Sequence, residues 1–150
     1  MSVYSFLDVD ATIAGVGGSF NLANGAAAAE EGITVERFED KNIMVTGADG
    51  SGMHSLIASD AGTITVRLLK TSPVNAQLQT MFNLQTRSSA THGKNVITIR
   101  DSARGDFLMA AGVAFVGVPA INYAKEGGIM EWTFHAIQIT YILGVGTPEL

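Results

Sequence analysis

The chain has 150 residues, a net charge of −5 and no cysteine. This length corresponds to one domain. Apolar residues make up 47% of the chain and charged residues only 15%, below the usual charged share of about a quarter. The net charge argues against a nucleic-acid-binding protein, which needs a basic surface, and the lack of cysteine excludes disulfides and thiolate metal sites. A surface with so few charges indicates that partner chains cover part of it.

The sequence gives no indication of a membrane-bound or secreted protein. It contains no run of the roughly 18 consecutive apolar residues that a membrane-spanning helix needs. No basic residue precedes Arg37, so the N-terminal segment does not resemble a secretory signal. We therefore expect a soluble protein that is made and used in a cytoplasm.

Short runs of alternating residues, separated by glycine-rich turns, are typical of a mostly β domain. The first run, Val3 to Ile13, has mostly apolar residues at odd positions. Its even positions place Asp8, Asp10 and Thr12 together on the other face. The run therefore predicts a strand with one apolar and one polar face.

The next three segments differ in how clearly they predict structure. Residues 15–32 are rich in glycine and alanine, and the alanine run fits either a helical turn or a loop. Residues 33–40 predict a strand with a bulge or bend between Val35 and Phe38, where the parity of the apolar positions slips. Residues 41–62 are too glycine-rich for a packed core element, and we expect an extended hairpin or arm there.

The central part of the chain predicts a strand followed by one helix. Thr63 to Lys70 alternates cleanly between apolar and polar residues. Ser72 and Pro73 then form a typical helix start, with serine as cap and proline in the first turn. Apolar residues at helical spacing follow, and the helix is expected over about residues 73–87.

The last third of the chain predicts three further strands. Asn95 to Arg100 is a short strand, whereas Phe107 to Val118 is apolar on both faces and must be covered on both sides. Ile129 to Leu143 is a long strand whose apolar parity changes near Ile137, which predicts a kink or bulge. The whole pattern predicts a mainly β fold, a sandwich or partly open barrel of packed antiparallel sheets with one flanking helix.

No combination of residues predicts catalysis or metal binding. Ser51, His54 and Asp49 are close in sequence, but a catalytic triad needs rigid supports and these residues lie in a glycine-rich loop. The three histidines are scattered and lack metal-ligand spacing. The glycines at 15, 17 and 18 are not followed by the helix that a phosphate-binding loop requires. We therefore predict no enzyme, no metal and no cofactor.

Acidic residues are concentrated between Glu30 and Asp49, where six acids and two bases give a net charge of −4. Such a stretch is either an exposed solubilising edge or a surface that repels DNA. The sequence leaves both interpretations open.

Three segments carry a resemblance to a known family: Val113 to Ala136, Ala48 to Ser55 and Thr65 to Ala76. Together they resemble the tail tube proteins of contractile-tailed bacteriophages, and the resemblance runs over nearly the whole chain. It implies that residues 1–150 form a single tail-tube domain with a long hairpin or loop at about 41–62. The implied fold is shared with the tube proteins of R-type pyocins and type VI secretion systems.

The resemblance also implies an assembly. Subunits are expected to form hexameric rings that stack into a hollow tube inside a contractile sheath, in the tail of a virion assembled in the host cytoplasm. The implied partners are other copies of the chain, the sheath, a baseplate or tube initiator, a tape-measure protein and a terminator. DNA is expected to pass through the lumen without specific binding.

Three groups of residues are candidates for this assembly. The candidates for the lumen or its rim are Asp8, Asp10, Thr12, Glu36 and Asp40, because acidic and small polar groups do not retain phosphates. The candidates for contacts between rings are Asp49, Ser51, Met53 and His54 in the predicted hairpin. The candidates for strand contacts within a ring are Phe107, Met109, Val113 and Phe115.

Three other functions stay open on the sequence alone. The first is another tube-type structural protein, such as a tube terminator or a secretion-system tube subunit. The second is a small β-barrel ligand-binding module, which would need an internal pocket with convergent polar groups. The third is an enzyme.

Overall fold

The computed structural model describes residues 4–5, 8–22 and 28–144, with the backbone alone for residues 28–31. Nine strands and one helix lie in these ranges. In chain order they are β1 Val9–Gly15, β2 Gly18–Asn21, β3 Ala28–Arg37, β4 Asn42–Thr46, β5 Gly52–Leu56, β6 Gly62–Leu69, α1 Val74–Gln85, β7 Asn95–Asp101, β8 Asp106–Phe115 and β9 Ile129–Ile142. Val3 and Leu7 of the first predicted run, and part of the alanine run, lie outside the described residues. The prediction of a mainly β chain with one helix is confirmed.

Seven of the strands form one antiparallel sheet in the order β2-β1-β7-β8-β9-β6-β3, and β4 pairs with β5 in a separate two-stranded sheet. The large sheet curls around the core, since Val9 of β1 and Val35 of β3 line the same cavity. Its two edge strands, β2 and β3, are not hydrogen-bonded to each other in the described residues. The predicted sandwich is therefore built from two halves of one continuous sheet that does not close into a barrel.

Alternation along β1 and β6 places the core on one face of this sheet. In β6, Ile64, Val66 and Leu68 are completely buried, while the intervening threonines and Arg67 point outward. In β1, Ala11 and Ile13 are buried in the same way. The buried core extends across the sheet through Ile97, Ala110, Val113, Phe115, Trp132, Phe134, Ala136 and Ile139.

Helix α1 closes one end of the curled sheet. Ser72 Oγ accepts a 3.3 Å hydrogen bond from the backbone N–H of Val74. Pro73 occupies the N-terminal cap position of α1 and has helical dihedral angles. The buried side of α1 includes Leu78 and Met81, which belong to the core. The helix has 12 residues, and no helix in the described ranges is long and apolar enough to cross a membrane.

Two buried amide side chains attach the end of α1 to the sheet. Gln85 and Asn95 are both 0% exposed, and their amides exchange two hydrogen bonds, of 2.6 and 2.7 Å. Gln85 Nε2 also donates to the backbone oxygen of Val16 at 2.8 Å. A Cβ added to Gly15 would lie 1.8 Å from Asn95 Oδ1, so only glycine fits beside this pair.

A β-bulge interrupts β8 at Gly112. Between the pairs Ile97–Ala110 and Asn95–Val113, β8 contains one residue more than β7. Gly112 has a φ of 63°, and a Cβ on it would lie 2.9 Å from Ile137 Cδ1 on β9. Opposite the bulge, the inward-facing positions of β9 change parity after Ala136, which confirms the irregularity predicted near Ile137.

The bulge predicted in the second strand has a different position. The register between β3 and β6 shifts between Ala28 and Ile33, not between Val35 and Phe38. The parity slip that the sequence shows at Phe38 arises because β3 ends at Arg37 and Phe38 leaves the sheet. Phe38 then packs edge-on against His135, with ring centroids 5.0 Å apart.

Candidate assembly surfaces

The hairpin formed by β4 and β5, residues 42–56, is the most exposed element among the described residues. Every residue of β4 is exposed, and in β5 only Ser55 is half-buried. The exposed side chains are nevertheless largely apolar: Ile43, Met44, Val45, Met53 and Leu56 are each more than half exposed. An isolated two-stranded hairpin is marginally stable in water, so this apolar surface indicates a partner that covers it.

The four residues predicted to join rings all lie in this hairpin. Asp49 and Ser51 occupy its tip, where the Ser51 hydroxyl donates a 2.6 Å hydrogen bond to the Asp49 carboxylate. This hydroxyl lowers the pKa of Asp49 by stabilising the charged carboxylate. His54 lies in β5 and receives a hydrogen bond from Asn42 at 3.1 Å. His54 is therefore bonded to Asn42 and not to Ser51, and the three residues do not form a triad.

Three charged residues, Arg37, Lys41 and Asp60, form the root of the hairpin, a cluster that the sequence did not reveal. The Asp60 carboxylate accepts a 3.0 Å hydrogen bond from Arg37 Nη1 and forms an ion pair with Lys41 Nζ at 2.7 Å. Arg37 also donates to the backbone oxygen of Ile139, and the backbone oxygen of Asp60 accepts the N–H of Ile139. These bonds fix the hairpin root to β9. Asp60 lies 23 residues from Arg37, so no short motif signals the cluster.

The hairpin root is expected to weaken in acid. Lys41 and then Arg37 hold the pKa of Asp60 below its ordinary value, because their hydrogen bonds favour the charged carboxylate. A carboxyl group with a lowered pKa in the folded state stabilises that state above its unfolded pKa, about 3.9, and this contribution is lost as the pH falls through the folded pKa. We expect Asp60→Asn to be less stable than wild type at neutral pH, and the difference should disappear as the pH falls through the lowered pKa of Asp60 in the folded state. Denaturant unfolding at several pH values tests this, with Asp40→Asn as the control. A difference that is independent of pH would contradict the role of Asp60.

The five residues predicted to line a lumen do not share one surface. Asp10 and Thr12 are exposed on the outer face of β1, and Glu36 is exposed on the outer face of β3. Because the inner faces of β1 and β3 enclose the same cavity, Asp10 and Glu36 point away from opposite layers of the sandwich. Asp40 is exposed near the hairpin root. A single lumen surface can therefore include the β1 residues or Glu36, but not both.

Asp8 differs from the other four because it belongs to an ion-pair network. Arg104 Nη1 lies 3.3 Å from Asp8 and 3.1 Å from Asp101, and the Arg104 side chain is only 6% exposed. The guanidinium also lies 4.9 Å from the centroid of the Tyr4 ring. Asp8 thus holds the start of β1 to the β7–β8 turn and has a structural role. Because Asp8 and Arg104 are 96 residues apart in the chain, no local sequence pattern indicates this pair.

The residues predicted for strand contacts within a ring separate into two pairs. Met109 is 43% exposed on the outer face of β8 and Phe107 is half-buried. Val113 and Phe115 are instead 0% and 5% exposed, inside the core. The bulge at Gly112 reverses the parity of β8 and turns these two side chains inward. Val113 and Phe115 are therefore withdrawn as contact candidates.

The two edges of the large sheet differ in length. β2 has 4 residues and β3 has 10 residues. Edge strands present unpaired backbone groups that pair readily with another chain. Within the described residues, β2 and β3 each pair with another strand of the large sheet on one side only.

The end of the sandwich opposite α1 holds a cavity of about 410 Å³. Its walls are mostly apolar and include Val9, Ile33, Ile99, Leu108 and Tyr141, together with the charged residues Arg37, Asp101 and Asp106. Within the described ranges, no group of three or more histidine, aspartate or glutamate side chains could hold a metal ion. The charged groups Arg37, Asp101 and Asp106 are already bonded within the subunit, to Asp60, to Arg104 and to the backbone N–H of Gly144.

Comparison with known proteins agrees with this architecture. The chain matches the sequence model of the family described as "Bacteriophage PhiTE tail tube protein" over residues 1–144. No curated protein matches the chain.

Several solved structures share the fold, and three of them are components of contractile assemblies. The cap of the anti-feeding prophage, its tube terminating cap, aligns with a TM-score of 0.58 at 14% identity, over 96% of this chain and 93% of that chain. A chain of the sheath/tube terminator of the extracellular contractile injection system PVC aligns with a TM-score of 0.53 at 12% identity, over 95% and 98%. A chain of the PVC sheath–tube complex aligns with a TM-score of 0.51 at 11% identity, over 89% and 88%.

At these identities the structural similarity shows the fold, whereas the family match covers nearly the whole sequence. The exposed apolar hairpin agrees with a structural protein. The chain belongs to the bacteriophage PhiTE tail tube protein family, a family of structural tail proteins.

Proposed function

We propose that this chain is the repeating subunit of a phage tail tube. Six copies form a ring, the rings stack into a hollow tube inside a contractile sheath, and DNA passes through the lumen during ejection. The proposal assigns no catalytic step and no cofactor to the chain. The observation that supports it most strongly is the exposed apolar hairpin on a member of a tail tube family.

The proposed partners follow from this role. Within a ring, the β2 and β3 edges and the outer face around Phe107 and Met109 are the proposed contacts. Between rings, the proposed contacts are Asp49, Ser51, Met53 and His54 of the hairpin. A sheath, a baseplate or tube initiator, a tape-measure protein and a terminator complete the proposed assembly, which forms in the host cytoplasm and remains in the virion.

A tube terminator is the second candidate function. Two of the three similar structures are described as a tube terminating cap and a sheath/tube terminator. A terminator has the same fold but stops growth, so it would form one ring and not a tube.

Negative-stain electron microscopy of the purified chain, with and without isolated baseplates as nuclei, distinguishes these roles. Tubes whose length grows with concentration support the tube subunit. Single rings that do not stack support the terminator. A chain that stays monomeric even with baseplates would contradict both.

The opposite positions of Asp10 and Glu36 allow a test of lumen charge. A cationic lumen wall binds phosphates by releasing counterions and retains DNA. Only one of the two layers faces the lumen. We therefore expect one of the single variants Asp10→Lys and Glu36→Lys to slow DNA ejection about tenfold or more, and the other to leave it unchanged. Ejection kinetics of mutant particles at low salt provide the measurement, with the corresponding Asp10→Asn and Glu36→Gln variants as controls. Unchanged kinetics in both lysine variants would contradict a role for lumen charge.

A further inference from the structure

The sandwich is closed by α1 at one end, the helix end, and contains the cavity of about 410 Å³ at the other. The cavity opens to solvent, since Tyr4, Tyr141 and Leu143 in its lining are 68%, 44% and 72% exposed. An apolar surface that continues from the core to solvent indicates an occupant that covers it. The deeper walls are partly buried against the core and are formed by Val9, Ile33, Val35, Ile99 and Leu108.

Strand β9 leads the chain to this opening. Beyond the change of parity near Ile137, Ile139 is buried in the core, and Tyr141 and Leu143 line the cavity. These three residues are spaced by two, so their side chains share the inward face of the strand. The same spacing continues to Val145 in the sequence, which predicts an apolar side chain directed toward the cavity.

Gly144 is held against the β7–β8 turn beside the cavity. Its backbone N–H donates a 2.8 Å hydrogen bond to the carboxylate of Asp106, which lines the cavity. A Cβ on Gly144 would overlap the backbone oxygen of Arg104, so only glycine allows this close approach. These contacts fix the point from which residues 145–150 depart. We call those six residues the post-β9 segment.

Arg104 offers an unused hydrogen-bond donor in the same turn. Its side chain is 6% exposed, and its Nη1 pairs with Asp8 beside the start of β1 and with Asp101. Its Nη2 is buried and has no hydrogen-bond partner among the described residues. A buried donor without an acceptor destabilises the fold, above all when the donor is charged. The position therefore favours an additional acceptor, and the post-β9 segment contains one carboxylate side chain, that of Glu149.

The post-β9 segment is long enough to cross the opening. Gly144 follows β9, whereas the guanidinium of Arg104 lies beside the start of β1. Two packed layers of a sandwich are about 10 Å apart, and the five residues from Gly144 to Glu149 span up to about 17 Å. Glu149 can therefore reach Arg104, which brings the apolar Leu150 to the cavity.

We propose that the post-β9 segment folds across the opening, inserts Val145 and Leu150 between the two layers and bonds its Glu149 carboxylate to Arg104 Nη2. The occupant of the cavity is thus a segment of the same chain. The family match ends at residue 144, so this contact lies outside the part of the chain that identifies the family. It goes beyond the proposed tube function, because it forms within one subunit and hides the apolar walls before any partner binds.

Disulfide trapping tests this contact, and the chain contains no cysteine that would interfere. Leu150→Cys is combined either with Val9→Cys, which lines the cavity, or with Asp10→Cys, which is exposed on the outer face of the same strand. Because two cysteines bond only when their Cα atoms approach within about 7 Å, we expect the Val9 pair to form an intramolecular disulfide at least about tenfold faster than the Asp10 control pair. Mass spectrometry of the digested monomer identifies the linked peptides.

Variants of the segment test its anchoring side chains. Glu149→Lys places a second positive charge beside Arg104, and we expect it to slow trapping of the Val9 pair about tenfold. Thr147→Lys is the matched control, because it adds a lysine to the same segment at a position without an assigned partner, and it should leave the rate unchanged. In the single-cysteine Val9→Cys protein, Leu150→Asp should expose the thiol and raise its alkylation rate about tenfold. Circular dichroism verifies that each variant is folded.

Each alternative occupant gives a different result. Equal trapping of the Val9 and Asp10 pairs would overturn the proposal, because the segment would then not enter the cavity. A disulfide-linked dimer would overturn it in favour of a second copy. A Val9→Cys thiol whose alkylation is unchanged by Leu150→Asp would overturn it in favour of another segment. Equal rates in Glu149→Lys and Thr147→Lys would overturn the bond to Arg104. All these measurements use the free subunit, so a negative result leaves the tube function intact.

Discussion

Replacing Trp132 with alanine is expected to lower the free energy of unfolding of the free subunit by about 3–5 kcal/mol, a large share of the roughly 5–15 kcal/mol typical of a domain. Trp132 is 0% exposed, and its ring packs edge-on against Phe115 with centroids 6.0 Å apart. Its indole N–H also donates to Asn75 Oδ1 on α1 at 3.0 Å. The substitution therefore removes core packing and a bond between sheet and helix.

Chemical denaturation followed by far-ultraviolet circular dichroism measures this loss, since Trp132 is the only tryptophan and its fluorescence is lost in the variant. Trp132→Phe keeps most of the ring volume but removes the donor to Asn75, at a cost of about 1–3 kcal/mol. Tyr123→Ala is the surface control, because Tyr123 is 86% exposed, and its effect should stay within about 0.5 kcal/mol. A Trp132→Ala loss below about 1 kcal/mol would show that the helix end is packed differently.

Introducing aspartate into the hairpin is expected to weaken tube growth strongly while leaving the subunit folded. Met44 pairs with His54, and Val45 pairs with Met53, so Met44 and Val45 lie on opposite faces of the hairpin. One of these two faces is covered in the assembled tube. An aspartate on that face, from Met44→Asp or Val45→Asp, would bury an unpaired charge at a cost of about 3 kcal/mol or more. This cost raises the minimum concentration for assembly about 100-fold. Sedimentation and electron microscopy give that concentration for each variant.

Two comparisons make the hairpin experiment specific. Met44→Leu and Val45→Leu keep the surface apolar and should assemble like the wild type. Both positions are more than half exposed in the free subunit. The free energy of unfolding of the aspartate variants should therefore lie within about 0.5 kcal/mol of the wild-type value. Growth of normal tubes by both aspartate variants would show that the hairpin does not join rings.

Local sequence patterns predict the elements of this fold better than their arrangement. The alternation in β6 and the Ser72–Pro73 helix start each depend on neighbouring residues, and both elements form close to where the sequence places them. The predicted cap was wrong by one residue, because Pro73 and not Ser72 is the N-cap of α1. Strand order depends on contacts far apart in sequence. No local pattern indicates that β7 inserts between β1 and β8 to make one continuous sheet.

The candidate sites show the same limit. Phe107, Met109, Val113 and Phe115 share one face only if β8 alternates without interruption, and the bulge at Gly112 breaks that alternation. A glycine inside an apolar run indicates a bulge, so the sequence does carry a signal for this change of face. The pairing of Asp8 with Arg104 joins opposite ends of the chain, and a single sequence carries no indication of it.

The strand order also affects how fast the subunit acquires its fold. Ile13 of β1 pairs with Ile97 of β7, 84 residues later. During translation at about 5–20 residues per second, the β1–β2 pair waits about 4–17 s for its central neighbour. Sheets dominated by such distant pairings fold in milliseconds to seconds, slower than helical bundles. New subunits therefore become competent for assembly only after β7 has inserted beside β1 and after β9, which joins β8 to β6, has left the ribosome.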